Sequence, residues 1–309
     1  MKKFYKVRKV LLGSRGEGGL LKKIIIYILL IGISFIYLYP ILRMIALSLM
    51  SLEDLNDSQV NWIPTSLNFS NYVKAFQALS YMKAFGNSML LSVIPTLCIL
   101  LSSSLAGYGL AKYRFRGRIF ILIMCVVNFV LPTVLTSIPN FVLYNKLGLL
   151  DTLWAYILPA LLGFGLRESL FILIFFNFFR LIPHELYEAA EIDGCNELKM
   201  FVIIAIPLSL MAFLVCFLYS FVWYFNETTL AAMYFREKYT TLARALIRFD
   251  VTYRTRFPSG SATGAEANTF NQGVLFSGTL LSILPLILVY AFTQKWFIEG
   301  VDKSGLAGQ

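Results

Sequence analysis

This 309-residue chain is short of charge, of histidine and of paired cysteines, and each shortage closes off a class of function. Charged residues make up 14% and hydrophobic ones 58%, whereas an ordinary soluble domain carries about 25% charged residues. A soluble globular protein is excluded. His184 is the only histidine, and the four cysteines (Cys98, Cys125, Cys195 and Cys216) form no CxxC pair. Metal and redox sites need clustered ligands, so neither is expected, nor is a structural disulfide; the cysteines read as small core hydrophobes. Also missing are the Walker A patterns GxxxxGKS and GxxxxGKT, the nucleophile elbow GxSxG and the zinc motif HExxH. Those patterns hold phosphates, expose a nucleophile or ligate zinc. The chain itself is therefore not expected to hydrolyse ATP, and a membrane-embedded enzyme, which needs acids, His or Cys gathered near the bilayer, is disfavoured.

What is present is a series of long apolar runs. A helix needs about 20 apolar residues to cross a bilayer, and six stretches qualify: Ile24 to Leu49, Asn87 to Ala111, Ile119 to Leu143, Leu153 to Phe179, Phe201 to Tyr224 and Val274 to Phe297. The expected fold is an all-α integral membrane bundle of six transmembrane helices, one domain over 24–297 between a basic N-terminus (1–23) and a short tail (298–309). The first apolar stretch is too long for a signal-peptide core and lacks a small-residue cleavage site, so it reads as an uncleaved span.

The net charge of +10 would suit nucleic acid, but its distribution points elsewhere. Eight of the 27 basic residues precede Ile24 and four more fall between Lys112 and Arg118. Basic residues collect on the cytoplasmic side, so the surplus marks orientation: a multi-pass cell-membrane protein with both termini in the cytoplasm, and no nucleic-acid partner. The segment from Ser51 to Gly86 falls outside. Two loops fit less well. The segment 225–273 is outside by parity yet holds six basic residues, and the inner loop 181–200 is dominated by acids. Acids weigh little in orientation, so some pressure other than topology selects them.

Pro40, Pro95, Pro132, Pro139, Pro159, Pro207 and Pro285 fall in or beside the spans. Each removes a backbone donor and bends its helix, which suits a bundle with a path through it and equally suits packing kinks. Arg167 and Glu168 lie within the fourth span, where charge is costly unless paired or facing a cavity. Being adjacent, they point in different directions and need separate partners. Arg43, near the outer end of the first span, is expected to snorkel.

The acidic inner loop reads HELYEAAEIDGC, from His184 to Cys195. Pro183 suits a first helical position, and Glu185 and Glu188 then benefit from the helix dipole. Leu186, Ala189, Ala190 and Ile192 are expected on an apolar side, with Glu185, Glu188 and Glu191 on a polar one. Asp193-Gly194 signals a turn, and Asn196 suits the cap of a second short helix. Helices that lie along a lipid boundary usually carry Lys and Arg opposite aromatics or Leu. Acids and alanines favour a protein partner instead.

Glu188-Ala189-Ala190, three residues, Gly194, nine residues and then Ile204-Ala205-Ile206-Pro207 resembles the EAA-x3-G-x9-I-x-L-P loop of permease subunits of bacterial ATP-driven (ABC) importers. Ile206 replaces the usual leucine, and Cys195 stands where alanine is common. LYPILRMIALSL from Leu38, AGYGLAKYRFRGR from Ala106, LGLLDTLWAYILP from Leu147 and QKWFIEGVDKSGLAG from Gln294 are similar to the carbohydrate branch, most of all to the maltose-importer type.

The resemblance implies the type I ABC importer permease fold, in which this loop is the coupling helix that docks into a cytoplasmic ATPase. It implies contacts through Glu185, Glu188, Ala189, Ala190, Asp193 and Gly194, with Glu188 as the main charge, two alanines allowing a deep seat and Gly194 making the turn. It also implies an ATPase dimer holding ATP and Mg, no cofactor on this chain, a sister permease in a heterodimer, an external solute-binding protein and surrounding membrane lipid. The family's counterpart of 225–273 reaches toward the binding protein and helps dislodge the sugar; a flexible surface insert fits its length equally. Asn128, Trp223 and Asn226 are candidates to line the substrate path, although in the maltose type the sister subunit holds most sugar contacts. The alternative function is an ion-coupled secondary transporter. Such a protein should show inverted repeats and broken helices around midplane polar sites, and the sequence shows neither.

Overall fold

The computed structural model describes residues 13–14, 17–258 and 269–306. Apart from a short antiparallel pairing of Gly13 with Gly18 and Ser14 with Glu17, its regular elements are helical. In chain order they are α1 (Leu20–Ser48), α2 (Leu52–Asn56), α3 (Ser70–Ala78), α4 (Tyr81–Lys112), α5 (Arg118–Val130), α6 (Thr133–Lys146), α7 (Trp154–Leu161) and α8 (Glu168–Arg180). There follow α9 (His184–Ile192), α10 (Glu197–Met200), a π-helical turn (Phe201–Ala205), α11 (Ile206–Leu208), α12 (Leu210–Asn226), α13 (Thr229–Phe235), α14 (Leu242–Ile247), α15 (Phe249–Arg256) and α16 (Gln272–Leu306).

The chain divides into two compact units, one of 1–75 with 257–280 and one of 76–256 with 281–309. In the first, the buried Asn71 amide donates to the carbonyls of Ser48 (3.0 Å) and Met50 (2.9 Å), where α1 has ended and its carbonyls need donors. α2 opens with a capping box in which the Ser51 hydroxyl accepts from Asp54 N–H and the Asp54 carboxylate accepts from Ser51 N–H. Asp54 is buried and also accepts from Thr65. That Thr65 hydrogen bond, opposed by burial and helped by the Ser51 contacts, holds its carboxyl below the usual aspartate range. Arg43 reaches from α1 into the segment that follows it. Its guanidinium donates to the Asn61 carbonyl and lies 5.4 Å from the Trp62 ring centre.

In the second unit α4 is the central post. α8 lies so close to it that a Cβ at Gly107 would stand 2.6 Å from Phe175 Cβ and 2.9 Å from Phe176 N, so only glycine fits that crossing. Phe171, Phe175, Phe179, Ala212 and Cys216 complete a dry core around it. All four cysteines are free, Cys216 buried and the others half-buried.

Three described helices are long and apolar enough to cross a bilayer: α1, α4 and residues Gln272–Trp296 of α16. Their prolines (Pro40, Pro95 and Pro285) sit inside helices that continue past them. The third, fourth and fifth expected stretches are not continuous helices. The third turns by 99° between α5 and α6 at Leu131–Pro132, and the fifth turns by 79° at Ser209 between α11 and α12. The fourth breaks over 162–167, where Gly163 (φ +83°) and Arg167 (φ +53°) take left-handed conformations. α8 has 13 residues, roughly 20 Å of rise against about 30 Å of hydrocarbon, so it is too short to cross a bilayer alone.

The segment 225–258 is folded, which excludes a wholly flexible insert. α13, α14 and α15 bury Phe235, Leu242, Arg244, Phe249 and Tyr253. The Asn87 amide donates to Thr240 O (3.0 Å), and Ser88 Oγ accepts from Leu242 N (2.8 Å). Most of the polar stretch after Pro258 lies outside the described residues.

Candidate functional site

α9 leaves α8 at 74°. A nine-residue helix is marginal alone, so its ends and one face must be held. Pro183 is its N-cap, one position earlier than the sequence suggests, and Glu185 lies in its first turn. The C-terminus closes as a Schellman motif: Cys195 N–H donates to Ala190 O (2.9 Å), and Gly194 N–H to Glu191 O (3.0 Å). Gly194 has φ +75°, which gives its place in the turn a physical reason. Asn196 then caps α10, its side-chain oxygen accepting from Lys199 N at 2.9 Å.

The face that α9 buries is Tyr187 and Ala190. Tyr187 is 4% exposed and meets Tyr108 of α4 edge-on at 6.1 Å. Tyr108 in turn packs against Phe179 of α8 (5.7 Å) and Phe201 of the π turn (5.1 Å). One aromatic cluster thus links α9 to three other elements. Burial, helped by nearby Tyr108, pushes the Tyr187 phenol up to about 12. Leu186, Ala189 and Ile192, expected on the packed side, are exposed. Ala190 faces the chain's own core, so Ala189 is the alanine open to an approaching surface.

The carboxylates divide their work. Lys112, at the end of α4 and with its side chain only 6% exposed, lies 3.3 Å from Glu191 and 2.8 Å from Glu197. Its ammonium also sits 5.1 Å from the Tyr187 ring centre. Glu191 is therefore spent inside the chain as a brace. Glu188 is 65% exposed with His184 3.3 Å away, and Glu185 and Asp193 are exposed too. Exposed carboxylates, Ala189 and exposed Leu186 and Ile192 make an acidic surface with an apolar patch. Tyr108, Tyr187 and Lys112 escaped the sequence reading because Lys112 counted only as an orientation charge. Two apolar-run tyrosines gave no signal of meeting.

The candidate path residues come only partly together. Asn128 of α5 donates to Ser169 Oγ of α8. Trp223 of α12 lies against Phe171 (5.4 Å) and under the Arg167 guanidinium (4.9 Å). Both converge on the first turn of α8, while Asn226 is exposed at the end of α12. Arg167 and Glu168 do take separate partners. Glu168 is buried and accepts from Gly165 N (2.7 Å) and Ser102 Oγ, while Tyr224 Oη accepts from Leu166 N (3.1 Å). Side chains thus satisfy the broken backbone. Among the described residues no cluster of three His, Cys, Asp or Glu is placed to hold a metal ion.

Residues 99–303 match the family model described as the binding-protein-dependent transport system inner membrane component. The arabinooligosaccharides transport system permease protein AraQ of Halalkalibacterium halodurans is 30% identical over 294 residues, covering 92% of this chain and 98% of that protein. The polygalacturonan/rhamnogalacturonan transport system permease protein YtcP of Bacillus subtilis is 31% identical over 286 residues, covering 92% and 97%. Among solved structures, a chain of a bacterial ABC transporter involved in import of the acidic polysaccharide alginate superposes with a TM-score of 0.71 at 23% identity, covering 90% of this chain and 96% of that one.

Proposed function

The chain belongs to the binding-protein-dependent transport system inner membrane components, and from that membership we propose that it forms half of the translocation path of an ATP-driven oligosaccharide importer. Six spans, both termini in the cytoplasm, a permease domain over 24–297 and pairing with a different sister permease complete the proposal. The relatives named for oligosaccharide and polysaccharide transport support the substrate class. A binding protein delivers the sugar outside, and a separate ATPase pair holds ATP and Mg and supplies the energy.

The observation that carries the mechanism is the two-sided character of α9. One side is locked to the bundle by Tyr187, Ala190 and the Lys112 brace, and the other presents Glu185, Glu188 and Ala189 outward. A push or pull on the outer side passes through Tyr187 and Tyr108 into α4, and through Phe179 and Phe201 into α8 and the segment leading to α12. The π turn and the bend at Ser209 let that last segment flex, since such irregularities relax the regular hydrogen-bond ladder. No step on this route needs chemistry from the chain itself. Movement of α8 carries Arg167 and Ser169 past Trp223 and Asn128, which is how the path would open and close around a sugar.

The test is Glu188→Lys, which reverses an exposed charge without touching the buried face. Uptake of the cognate oligosaccharide and co-purification of the ATPase should both be lost while the permease stays in the membrane. Wild-type uptake from that variant would remove the coupling assignment.

A further inference from the structure

The basic residues between α4 and α5 do more than mark orientation. Beside α9 lies a cavity of about 710 Å³, and next to it a second of about 630 Å³. Arg114, Arg118 and Arg180 line both, so three guanidiniums from the α4–α5 connection, the start of α5 and the end of α8 stand at the boundary between them. No carboxylate lines either cavity. Among the described residues none of the three arginines is in an ion pair. Of the acids on the neighbouring elements, Glu191 and Glu197 are held by Lys112, and Glu188 lies against His184.

The two cavities differ in character. The one beside α9 has a mixed wall, with Lys112, His184, Tyr113 and Tyr187 beside Ala111, Phe179 and Ile182. Its neighbour has an apolar wall of Phe115, Ile119, Leu122 and Phe176, with Ile119 73% exposed. A cationic rim above an apolar slope matches a molecule with an anionic head and hydrocarbon chains. A soluble anion would use the arginines and leave the slope bare, and an acidic protein surface would have no use for it either. Arginine is suited to this, since its planar fork takes phosphate oxygens in pairs. Basic pockets between membrane helices on the cytoplasmic side bind anionic headgroups in this way.

We infer that this cleft is a binding site for an anionic phospholipid of the cytoplasmic leaflet, its phosphate on Arg114, Arg118 and Arg180 and its chains along Ile119, Leu122 and Phe176. The inference rests on the proposed orientation of the bundle. Because Tyr187 and His184 bound the headgroup cavity, the lipid buttresses α9 from behind and makes coupling to the ATPase sensitive to lipid composition.

The test uses the assembled importer in nanodiscs of phosphatidylcholine with or without phosphatidylglycerol. Native mass spectrometry reads the lipid retained by the wild type, by the Arg114→Gln, Arg180→Gln double variant and by Lys146→Gln, a cation outside both cavities. Phosphatidylglycerol should be retained over phosphatidylcholine, and retention should weaken by about fivefold for each arginine removed, with Lys146→Gln unchanged. Binding-protein-stimulated ATPase activity should fall in discs without phosphatidylglycerol. Equal retention of the two lipids, or wild-type retention by the double variant, overturns the site. Displacement by inorganic phosphate as effective as by the lipid assigns a soluble anion and overturns the lipid. Loss of the ATPase from the double variant with phosphatidylglycerol still held gives the arginines to a protein surface and overturns it equally. Should the double variant fail to fold, wild-type retention that does not weaken with rising salt is the contrary result. Retention by a Glu188→Lys permease that has lost its ATPase keeps this site separate from the coupling assignment.

Discussion

Replacing Tyr187 by alanine removes the main fixture between α9 and the bundle without altering its outward face. The ring is 4% exposed, edge-on to Tyr108 at 6.1 Å and under the Lys112 ammonium at 5.1 Å. Truncating a buried aromatic of this size costs about 3–5 kcal/mol. α9 has nine residues and little stability of its own, so the loss falls on local detachment of the helix rather than on the whole bundle. Even about 3 kcal/mol multiplies the detached population by roughly 100-fold. Hydrogen exchange of the amides from Leu186 to Cys195 reads that population directly, and transport should fall with it because a detached helix transmits no force. Tyr187→Phe keeps the ring and should stay close to the wild type in both assays. Unchanged exchange in Tyr187→Ala, or equal damage from phenylalanine, would refute the claim that this ring holds the helix.

Three further outcomes follow from the same geometry. Gly194→Ala meets no atom within 4 Å but must hold φ +75°, so it should cost about 1 kcal/mol and reduce transport modestly, with Gly194→Asn tolerated better. Gly107→Ala forces a Cβ to within 2.6 Å of Phe175 Cβ and should lower the melting temperature of the purified permease by an overpacking cost of about 1–3 kcal/mol, while Gly109→Ala, with nothing within 4 Å, should not. Asp54 has its pKa lowered by folding. Its contribution is present above the ordinary value of 3.8 and is lost as pH falls through the folded one. Protection of the amides from Ser51 to Thr65, measured against unfolded-chain exchange rates at the same pH, should therefore fall in acid, and Asp54→Asn should abolish that pH dependence.

The acidic loop from His184 to Cys195 was legible because its signals are local. Gly194 in a turn, Asn196 as a cap and a short helix after Pro183 depend only on neighbouring residues, and each is where the sequence puts it to within a residue. The direction that α9 faces was not legible, since nine residues give too few turns to fix a periodicity. Tyr187 outcompetes Leu186 and Ile192 for the buried side only because Tyr108 is waiting there. The bends at 131–132 and Ser209 fall at or beside Pro132 and Pro207, which the sequence marks as kinks, but their size and the break at 162–167 escaped for a different reason. Apolar composition measures whether a stretch belongs in lipid and says nothing of its path, and the break before α8 is stabilised by Glu168, Ser102 and Tyr224, partners far away in sequence. Lys112 shows the same limit: its charge was visible, its two carboxylates were not.

The central claim is that a separate ATPase grips the outward face of α9. A photo-crosslinking residue placed at position 188 in the assembled importer tests it most directly, with one at position 146, at the end of α6, as the control. The account predicts a covalent adduct to the ATPase from position 188 and none from position 146. An adduct from position 188 to lipid alone, with the ATPase present and active, would contradict it.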